Sequence, residues 1–182
     1  MAAGSDFDSF FKEYENLVWK IVRSYVKERE ISRDLAAEAF IEVHRRWDKI
    51  RVMDNPVGYL VRVAVNRAKR YLVRSRMDYI LSGGNEEMDL ADRRNDPEEQ
   101  AIALEEDRWV ERQLGCLKDV EKEIVVLRDL DGRKFEDIAN ILSMKLPTVK
   151  SHYRRAHIGL AEKLEAEYGG KINRMLESDG VD

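Results

Sequence analysis

Apolar side chains recur every three or four residues along most of this chain, and no stretch alternates apolar and polar residues as a strand would. Residues 7–25 show the pattern first, with aromatic and aliphatic side chains falling on one helical face. This period matches the α-helix, in which residues three and four apart share a face. Only ten glycines and three prolines interrupt the 182 residues. The sequence therefore predicts an all-α fold.

Two further helices of the N-terminal half have recognisable starts. Ser32 is expected to cap the second helix, because a serine hydroxyl can accept from the free backbone N–H groups of a first turn. Asn55 is expected to cap the third, with Pro56 at the first helical position, where the missing N–H is not needed. The side chains expected to be buried are Leu35 or Ala36, Ala39, Phe40, Val43 and Trp47 in the second helix, and Leu60, Ala64, Ala68 and Tyr71 in the third.

Helical periodicity is lost over residues 78–96, where Gly83 and Gly84 stand in a polar, acidic run. This segment is predicted to be a flexible acidic linker between two small all-α domains, residues 1–77 and 97–168. Within the second domain we expect one helix from Pro97 to about Leu117, another that stops at Asp131-Gly132, and a last helix that ends at Gly169-Gly170. Residues 169–182 form a short tail.

The charges are unevenly distributed, and the formal net charge of −4 hides this. Residues 56–77 contain six basic residues and no acidic one, and no acid occurs between Ile138 and Ala161. Between these islands, residues 78–131 hold seventeen acidic and seven basic residues. Local fields matter more to a charged partner than net charge does, so both islands are candidate surfaces for a polyanion.

The second basic island has the pattern of a helix-turn-helix, in which two short helices cross at a small residue and lock through apolar side chains. Ala139 stands at the crossing, and Ser143 stands in the turn where glycine is common. The locking residues are Ile138, Leu142, Met144, Val149 and Tyr153. The outward face of the second helix carries Thr148, Lys150, Ser151, Arg154 and Arg155. This arrangement predicts a helix that enters a groove of DNA.

Several other functional classes lack support in the sequence. The three histidines have no metal-ligand spacing with carboxylates, and no glycine-rich phosphate loop occurs, so we expect neither an enzyme nor a cofactor or metal site. Cys116 is alone, which excludes an internal disulfide, and it is expected to be buried on an apolar helix face. Without a leader peptide or a long apolar run, the expected location is the cytosol, with no membrane insertion.

Two stretches together resemble one protein family. The segments RDLAAEAFIEVHRRW and NPVGYLVRVAVNRAKRYLVRSR resemble region two of bacterial sigma factors of the extracytoplasmic-function group. LKDVEKEIVVLRDLDGRKFEDIANILSMKLPTVKSHYRRA resembles region four of that group. The resemblance extends over about residues 7–165, in the family's order. It implies a promoter-specificity subunit of RNA polymerase, without catalytic residues of its own.

The resemblance also implies roles for particular residues. Contact with a melted −10 promoter element falls to Tyr59, Arg62, Asn66, Lys69, Arg70 and Arg74, with Asn66 at the base turned out of the stack. Recognition of the −35 element falls to the outward face of the second helix of the helix-turn-helix, which carries Thr148, Lys150, Ser151, Arg154 and Arg155. Docking on the β′ coiled coil of the polymerase falls to Asp34, Glu38 and Glu42. One departure from the family pattern is Ala37, where a glutamine is usual.

The partners implied are core RNA polymerase, through its β′ coiled coil and β flap, and promoter DNA; an anti-sigma factor is left open. An extended linker of about twenty residues would span roughly 70 Å, enough to connect the two promoter elements. Two alternatives stay open at this point. A LuxR-type regulator would also suit PTVKSHYRR, although it needs a sensor domain, and a purely protein-binding helical adaptor would leave the two basic islands unexplained.

Overall fold

A computed structural model describes residues 3–82 and 112–166, with side chains from Asp6 onward. The described residues contain no strand, which confirms the all-α prediction. The helices are α1 (Ala3–Arg23), α2 (Arg29–His44), α3 (Trp47–Ile50), α4 (Pro56–Leu81), α5 (Asp119–Val125), which continues as a π-helix (Val126–Leu130), α6 (Phe135–Ile141) and α7 (Leu146–Leu164).

The N-terminal half is a bundle of α1, α2 and α4, with the single turn of α3 between α2 and α4. Its core contains the predicted apolar stripes. Leu35 and Tyr71 are half-buried, and the other predicted residues are buried, namely Ala36, Ala39, Phe40, Val43, Trp47, Leu60, Ala64 and Ala68. From α1 come Leu17, Val18, Ile21 and Val22, all shielded from solvent. The hydrophobic periodicity of this half therefore predicted its core correctly.

The start of α2 differs from the prediction. The helix begins at Arg29, with Glu28 at the N-cap position, so Ser32 lies inside the first turns rather than capping them. Ser32 is fully buried, and its hydroxyl donates to the Val26 carbonyl at 2.8 Å. A buried hydroxyl needs a partner, and this one fastens α2 to the end of the turn that follows α1. The prediction that Ser32 caps α2 was wrong.

The start of α4 is as predicted. The Asn55 side-chain oxygen accepts from the Gly58 backbone N–H at 2.7 Å, and Pro56 occupies the first helical turn. The helix is longer than expected, because it runs through Leu81 and so includes the first residues of the predicted linker. Tyr79 and Ile80 are half-buried, which continues the apolar face of α4 past residue 78. Residues 83–111, with most of the predicted linker and the helix expected from Pro97, lie outside the described residues.

The C-terminal half packs α5 and its π-helical continuation against α6 and α7. Ile124, Val126, Leu127, Ile138 and Val149 are fully buried at its centre. The π-helix ends at the predicted stop, where Gly132 adopts a φ of 72°, a left-handed conformation that suits glycine. The predicted end of α7 at Gly169-Gly170 and the tail 169–182 lie outside the described residues.

The expectation for Cys116 was wrong. Cys116 is exposed, because it lies in the turn that follows the helical residues 112–115 and not on a buried helix face. Its thiol is in contact with the Lys163 ammonium group near the end of α7.

The two halves also pack against each other. Contacts join α4 to α6, and α1 to the π-helix. Lys20 of α1 donates to the Leu130 carbonyl at 2.8 Å and lies 3.3 Å from the Asp131 carboxylate. The Asn55 side-chain amide donates to the carbonyl oxygens of Asn140 and Ile141, the latter at 3.2 Å, at the end of α6. This arrangement brings the start of α4 against the turn of the helix-turn-helix.

Candidate nucleic-acid interface

The helix-turn-helix is formed by α6 and α7, and its lock is built from the predicted residues. Ile138 and Val149 are fully buried, and Ala139 lets the helices approach, with its carbonyl accepting from the Met144 N–H at 2.8 Å. Leu142, Met144 and Tyr153 pack against this core. Ser143 has a φ of 53°, as expected of a residue in a glycine position. A left-handed conformation costs a non-glycine residue roughly 1–2 kcal/mol.

Helix α7 turns its predicted DNA face to solvent. Thr148, Lys150, Ser151, Arg154 and Arg155 are all exposed, whereas Val149 and Ala156 on the other side are buried. Arg155 lies at the edge of this face, since its guanidinium group contacts His152 at 2.9 Å and lies 3.9 Å from the Glu121 carboxylate of α5. The middle of the predicted DNA face is formed by the exposed Lys150, Ser151 and Arg154.

Two side chains that the sequence reasoning did not single out hold α7 in place. Asp129 of the π-helix accepts from the Tyr153 hydroxyl at 2.8 Å and contacts His157 Nε2 at 2.9 Å. Burial, and then the hydrogen bond to Asp129, raise the pKa of Tyr153. Asp129 and His157 are far apart in sequence and belong to no common motif, so the sequence carried no signal for this contact.

On α4 the structure brings Arg62, Asn66 and Arg70 together in an exposed strip along one helix face. Arg70 Nε donates to the Asn66 carbonyl at 3.2 Å, which holds the guanidinium group beside the asparagine. Arg74 is exposed one turn further on. No acidic side chain of α4 accompanies this strip before Asp78. We call Arg62, Asn66, Arg70 and Arg74 the α4 strip.

The other two predicted contact residues of α4 are engaged elsewhere. Tyr59 is half-buried, and its hydroxyl accepts from Arg46 Nη1 at 3.2 Å, so the exposed Arg46 joins the basic surface next to the α4 strip. Lys69 Nζ lies 2.8 Å from the Asp119 carboxylate of α5. Sequence reasoning missed Arg46, although its place in the basic run HRRW was a signal for it.

The acidic face of α2 is partly neutralised from within the bundle. Arg67 of α4 is half-buried. Its Nη1 donates a hydrogen bond to the Glu38 carboxylate, and its Nη2 donates one to the Glu42 carboxylate at 2.8 Å. Asp34 is exposed. The three predicted docking residues therefore lie on α2 as expected. Two of them, Glu38 and Glu42, share Arg67, one of the six cations counted in the basic run of residues 56–77.

No group of side chains in residues 3–82 and 112–166 has the composition of a metal site. None of the helices described there is long and apolar enough to cross a membrane.

These features define a class of protein: two helical units, one with an exposed basic strip and an asparagine, the other with a DNA-type helix-turn-helix. Comparison with known families agrees with this class. Residues 10–77 match the family model of sigma-70 region 2, and residues 107–156 match that of sigma-70 region 4.

Individual relatives narrow the class. The chain is 30% identical over 166 residues to an ECF RNA polymerase sigma-E factor of Haemophilus influenzae, covering 87% of both chains. The sigma-E factor of Escherichia coli K12 is also 30% identical, over 87% of this chain and 86% of its own. The chain belongs to the extracytoplasmic-function group of the sigma-70 family and is an RNA polymerase sigma factor.

A solved structure shows the same fold. The sigma factor RpoE of Bartonella quintana, crystallised with the anti-sigma factor NepR, superposes with a TM-score of 0.63 at 19% identity, over 88% of this chain and 97% of its own. The LuxR-type alternative is not supported, because the N-terminal half matches sigma region 2 instead of a sensor domain.

Proposed function

We propose that the α4 strip binds the unpaired strand of a promoter −10 element, while α7 reads the −35 element in duplex form. The α4 strip is the observation on which this division of labour rests. It presents three guanidinium groups and one amide to solvent along a little over three helical turns, with no carboxylate among them. Cations that follow the backbone are a general feature of single-strand binding, and a side-chain amide can donate to and accept from a base edge.

Asn66 has the central role in the strip. It is exposed, lies between Arg62 and Arg70 on the helix face, and can both donate to and accept from a base edge. A base turned out of the duplex loses a few kcal/mol of stacking and pairing, which contacts in a pocket must offset. Tyr59, Lys69 and Arg74 surround this position and complete the proposed −10 surface.

In the second unit, Lys150 and Arg154 are proposed to meet base edges, with Thr148 and Ser151 beside them and Arg155 at a phosphate. The burial of Val149 and Ala156 supports this orientation, because it turns the polar residues of α7 outward together. Alanine at a base-contacting arginine should weaken binding by about 1–3 kcal/mol at one promoter position. Loss of a phosphate contact should weaken all sequences alike and reduce the salt slope by about one.

Core RNA polymerase is the proposed partner of α2, through the β′ coiled coil, with the β flap as partner of the second unit. Asp34 and the half-neutralised Glu38 and Glu42 lie on one side of α2, and the half-exposed Ile41 stands among them. An apolar side chain flanked by carboxylates suits a basic, amphipathic helical partner. By analogy with the solved relative, an anti-sigma factor is a further proposed partner, and the cytoplasm is the proposed location.

Run-off transcription with core polymerase tests the proposal. Genomic fragments should yield promoter-specific transcripts only when this protein is added. Charge reversal at Asp34 should lower the affinity for core polymerase, and reversal at Asp8, which is exposed on α1, is the matched control. Promoter-independent transcription with the added protein, or an unchanged core affinity of the Asp34 variant at moderate salt, would contradict the proposal.

A further inference from the structure

The first turn of α5 lies against the surface of the N-terminal bundle beside the α4 strip. Asp119 and Glu123 are four residues apart and therefore share one helix face. The Asp119 carboxylate lies 2.8 Å from Lys69 Nζ of α4. The Glu123 carboxylate accepts from the Tyr25 hydroxyl at 2.9 Å. Two acidic side chains of the second unit thus contact the first unit.

This contact is a packed interface. Lys122 Nζ lies 4.5 Å above the Tyr25 ring, and Lys69 Nζ lies 5.7 Å from the same ring. Lys122 is only 8% exposed, and Glu123 and Tyr25 are half-buried. Loss of solvent is the main cause that raises the pKa of Glu123 and lowers the pKa of Lys122. The groups have therefore given up water to make these contacts.

The position of Lys69 connects the interface to nucleic-acid binding. Lys69 is three residues after Asn66 and one before Arg70, so its ammonium group lies next to the α4 strip. Carboxylates and phosphates are both anionic oxygen acceptors for an ammonium group. A strand whose backbone follows the α4 strip would use the same cation that Asp119 holds in this structure.

The solvent exposure of the Lys69–Asp119 pair shows where competition can occur. The two side chains are 42% and 53% exposed, in contrast to the buried Lys122 beside them. The pair forms the open edge of the interface, next to the exposed Arg70. A nucleic-acid strand can reach Lys69 from this edge and replace Asp119.

We propose that the start of α5 competes with nucleic acid for Lys69 of α4. In this structure Asp119 pairs with Lys69, a cation that otherwise binds the backbone of an unpaired promoter strand. The proposal rests on the proposed function of the α4 strip. Glu123, hydrogen-bonded to Tyr25, holds α5 in position, and Asp119 makes the competing contact. Binding of a strand to α4 is then linked to separation of the two units.

The experiment measures the affinity of the full chain for a fluorescent single-stranded −10 oligonucleotide at low salt. Asp119→Asn frees Lys69 and should bind the oligonucleotide about two- to fivefold more tightly, the range expected for one exposed ion pair. Asp8→Asn removes one negative charge from α1. Asp8 lies about three helical turns before Lys20, the residue of α1 that contacts the second unit, so this variant should bind as the wild type does. Glu123→Gln also removes one negative charge but keeps an oxygen acceptor for Tyr25, so it should not bind more tightly.

Separation of the units is measured on the same protein. The substitutions Arg33→Cys on α2 and Gly159→Cys on α7 provide two thiols for fluorophores, and Cys116→Ser removes the natural one. Arg33 is exposed, and no heavy atom lies within 4 Å of a Cβ added at Gly159. The oligonucleotide should lower energy transfer between the labels, and it should do so at lower concentration in the Asp119→Asn variant.

Three results would overturn the competitor role while leaving the function of the α4 strip in place. These are equal affinities of Asp119→Asn and wild type, equal tightening by all three charge-removing variants, or strand binding without a change in energy transfer. The Arg62→Ala variant distinguishes a failure of the competitor role from a failure of the proposed function of the α4 strip. If Arg62→Ala leaves oligonucleotide affinity unchanged in both the wild-type and Asp119→Asn backgrounds, the α4 strip does not bind the strand, and both proposals are wrong.

Discussion

Asn66 is the residue at which promoter opening and promoter binding can be separated. Asn66→Ala removes a donor and an acceptor but no charge, so binding to closed duplex DNA should be retained. Open complexes should become roughly ten- to hundredfold less populated, which corresponds to the loss of about 1–3 kcal/mol of base contacts. Permanganate reactivity of unpaired thymines measures this, and Asn16→Ala, an exposed asparagine of α1, is the matched control.

A pre-melted bubble template refines the test of Asn66. Partial rescue of the variant by the bubble indicates that the base contact itself is missing. Full rescue would show that Asn66 assists melting without holding the base, and wild-type opening on duplex DNA would contradict its assignment.

At the scale of an element, the N-terminus of α4 has two functions that depend on different atoms of Asn55. Its oxygen caps α4, and its nitrogen donates to the carbonyls at the end of α6. Asn55→Asp keeps the cap oxygen but replaces the donor with a carboxylate that faces the negative end of a helix dipole. We expect unchanged helix content together with weaker contact between the units, seen as lower energy transfer between labels at positions 33 and 159.

Asn55→Ala is the comparison variant for this prediction. It loses both functions, and the loss of a cap typically destabilises a protein by about 0.5–2 kcal/mol. Thermal unfolding should therefore separate the alanine variant from wild type, whereas the aspartate variant should unfold near the wild-type temperature. Identical energy transfer in Asn55→Asp and wild type would show that the contact with α6 does not hold the units together.

At the scale of the whole molecule, packing of the two units buries Glu123 among Tyr25, Lys69, Asp119 and Lys122. Because burial raises the pKa of Glu123 above its ordinary value of 4.5, its contribution to the packed arrangement is complete below about pH 4.5 and declines as the pH rises through the raised pKa. Glu123→Gln is neutral at every pH. It should therefore hold the units together more firmly than wild type does at neutral pH.

This difference between Glu123→Gln and wild type should shrink as the pH falls toward 4.5. Energy transfer between the labelled units, recorded from pH 7.5 to pH 5, measures it, and Asp119 is present in both proteins. A gap between the two that is constant over this range, or a more open Glu123→Gln variant at neutral pH, would contradict the direction of the pKa shift.

The sequence by itself determined the features that depend on local spacing. Helical periodicity predicted the buried stripes of α2 and α4 and the lock between α6 and α7. The Asn55 cap and Pro56 marked the start of α4, and Ser143, with a left-handed φ of 53°, stands where glycine is common in such turns. The outward face of α7 was predictable for the same reason, since burial of Val149 and Ala156 determines which residues remain exposed. Such features depend on residues three or four positions apart, and this spacing is visible in the sequence itself.

Only the tertiary structure decided the contacts between residues that are distant in sequence. Ser32 proved to be a buried hydroxyl that binds the Val26 carbonyl, Arg67 turned toward the acids of α2, and Lys69 paired with Asp119 across the two units. The helical period places a charge on a face of its own helix, but the orientation of the neighbouring helix determines the partner. That orientation results from packing of the whole core, and it is not encoded in any single stretch of residues.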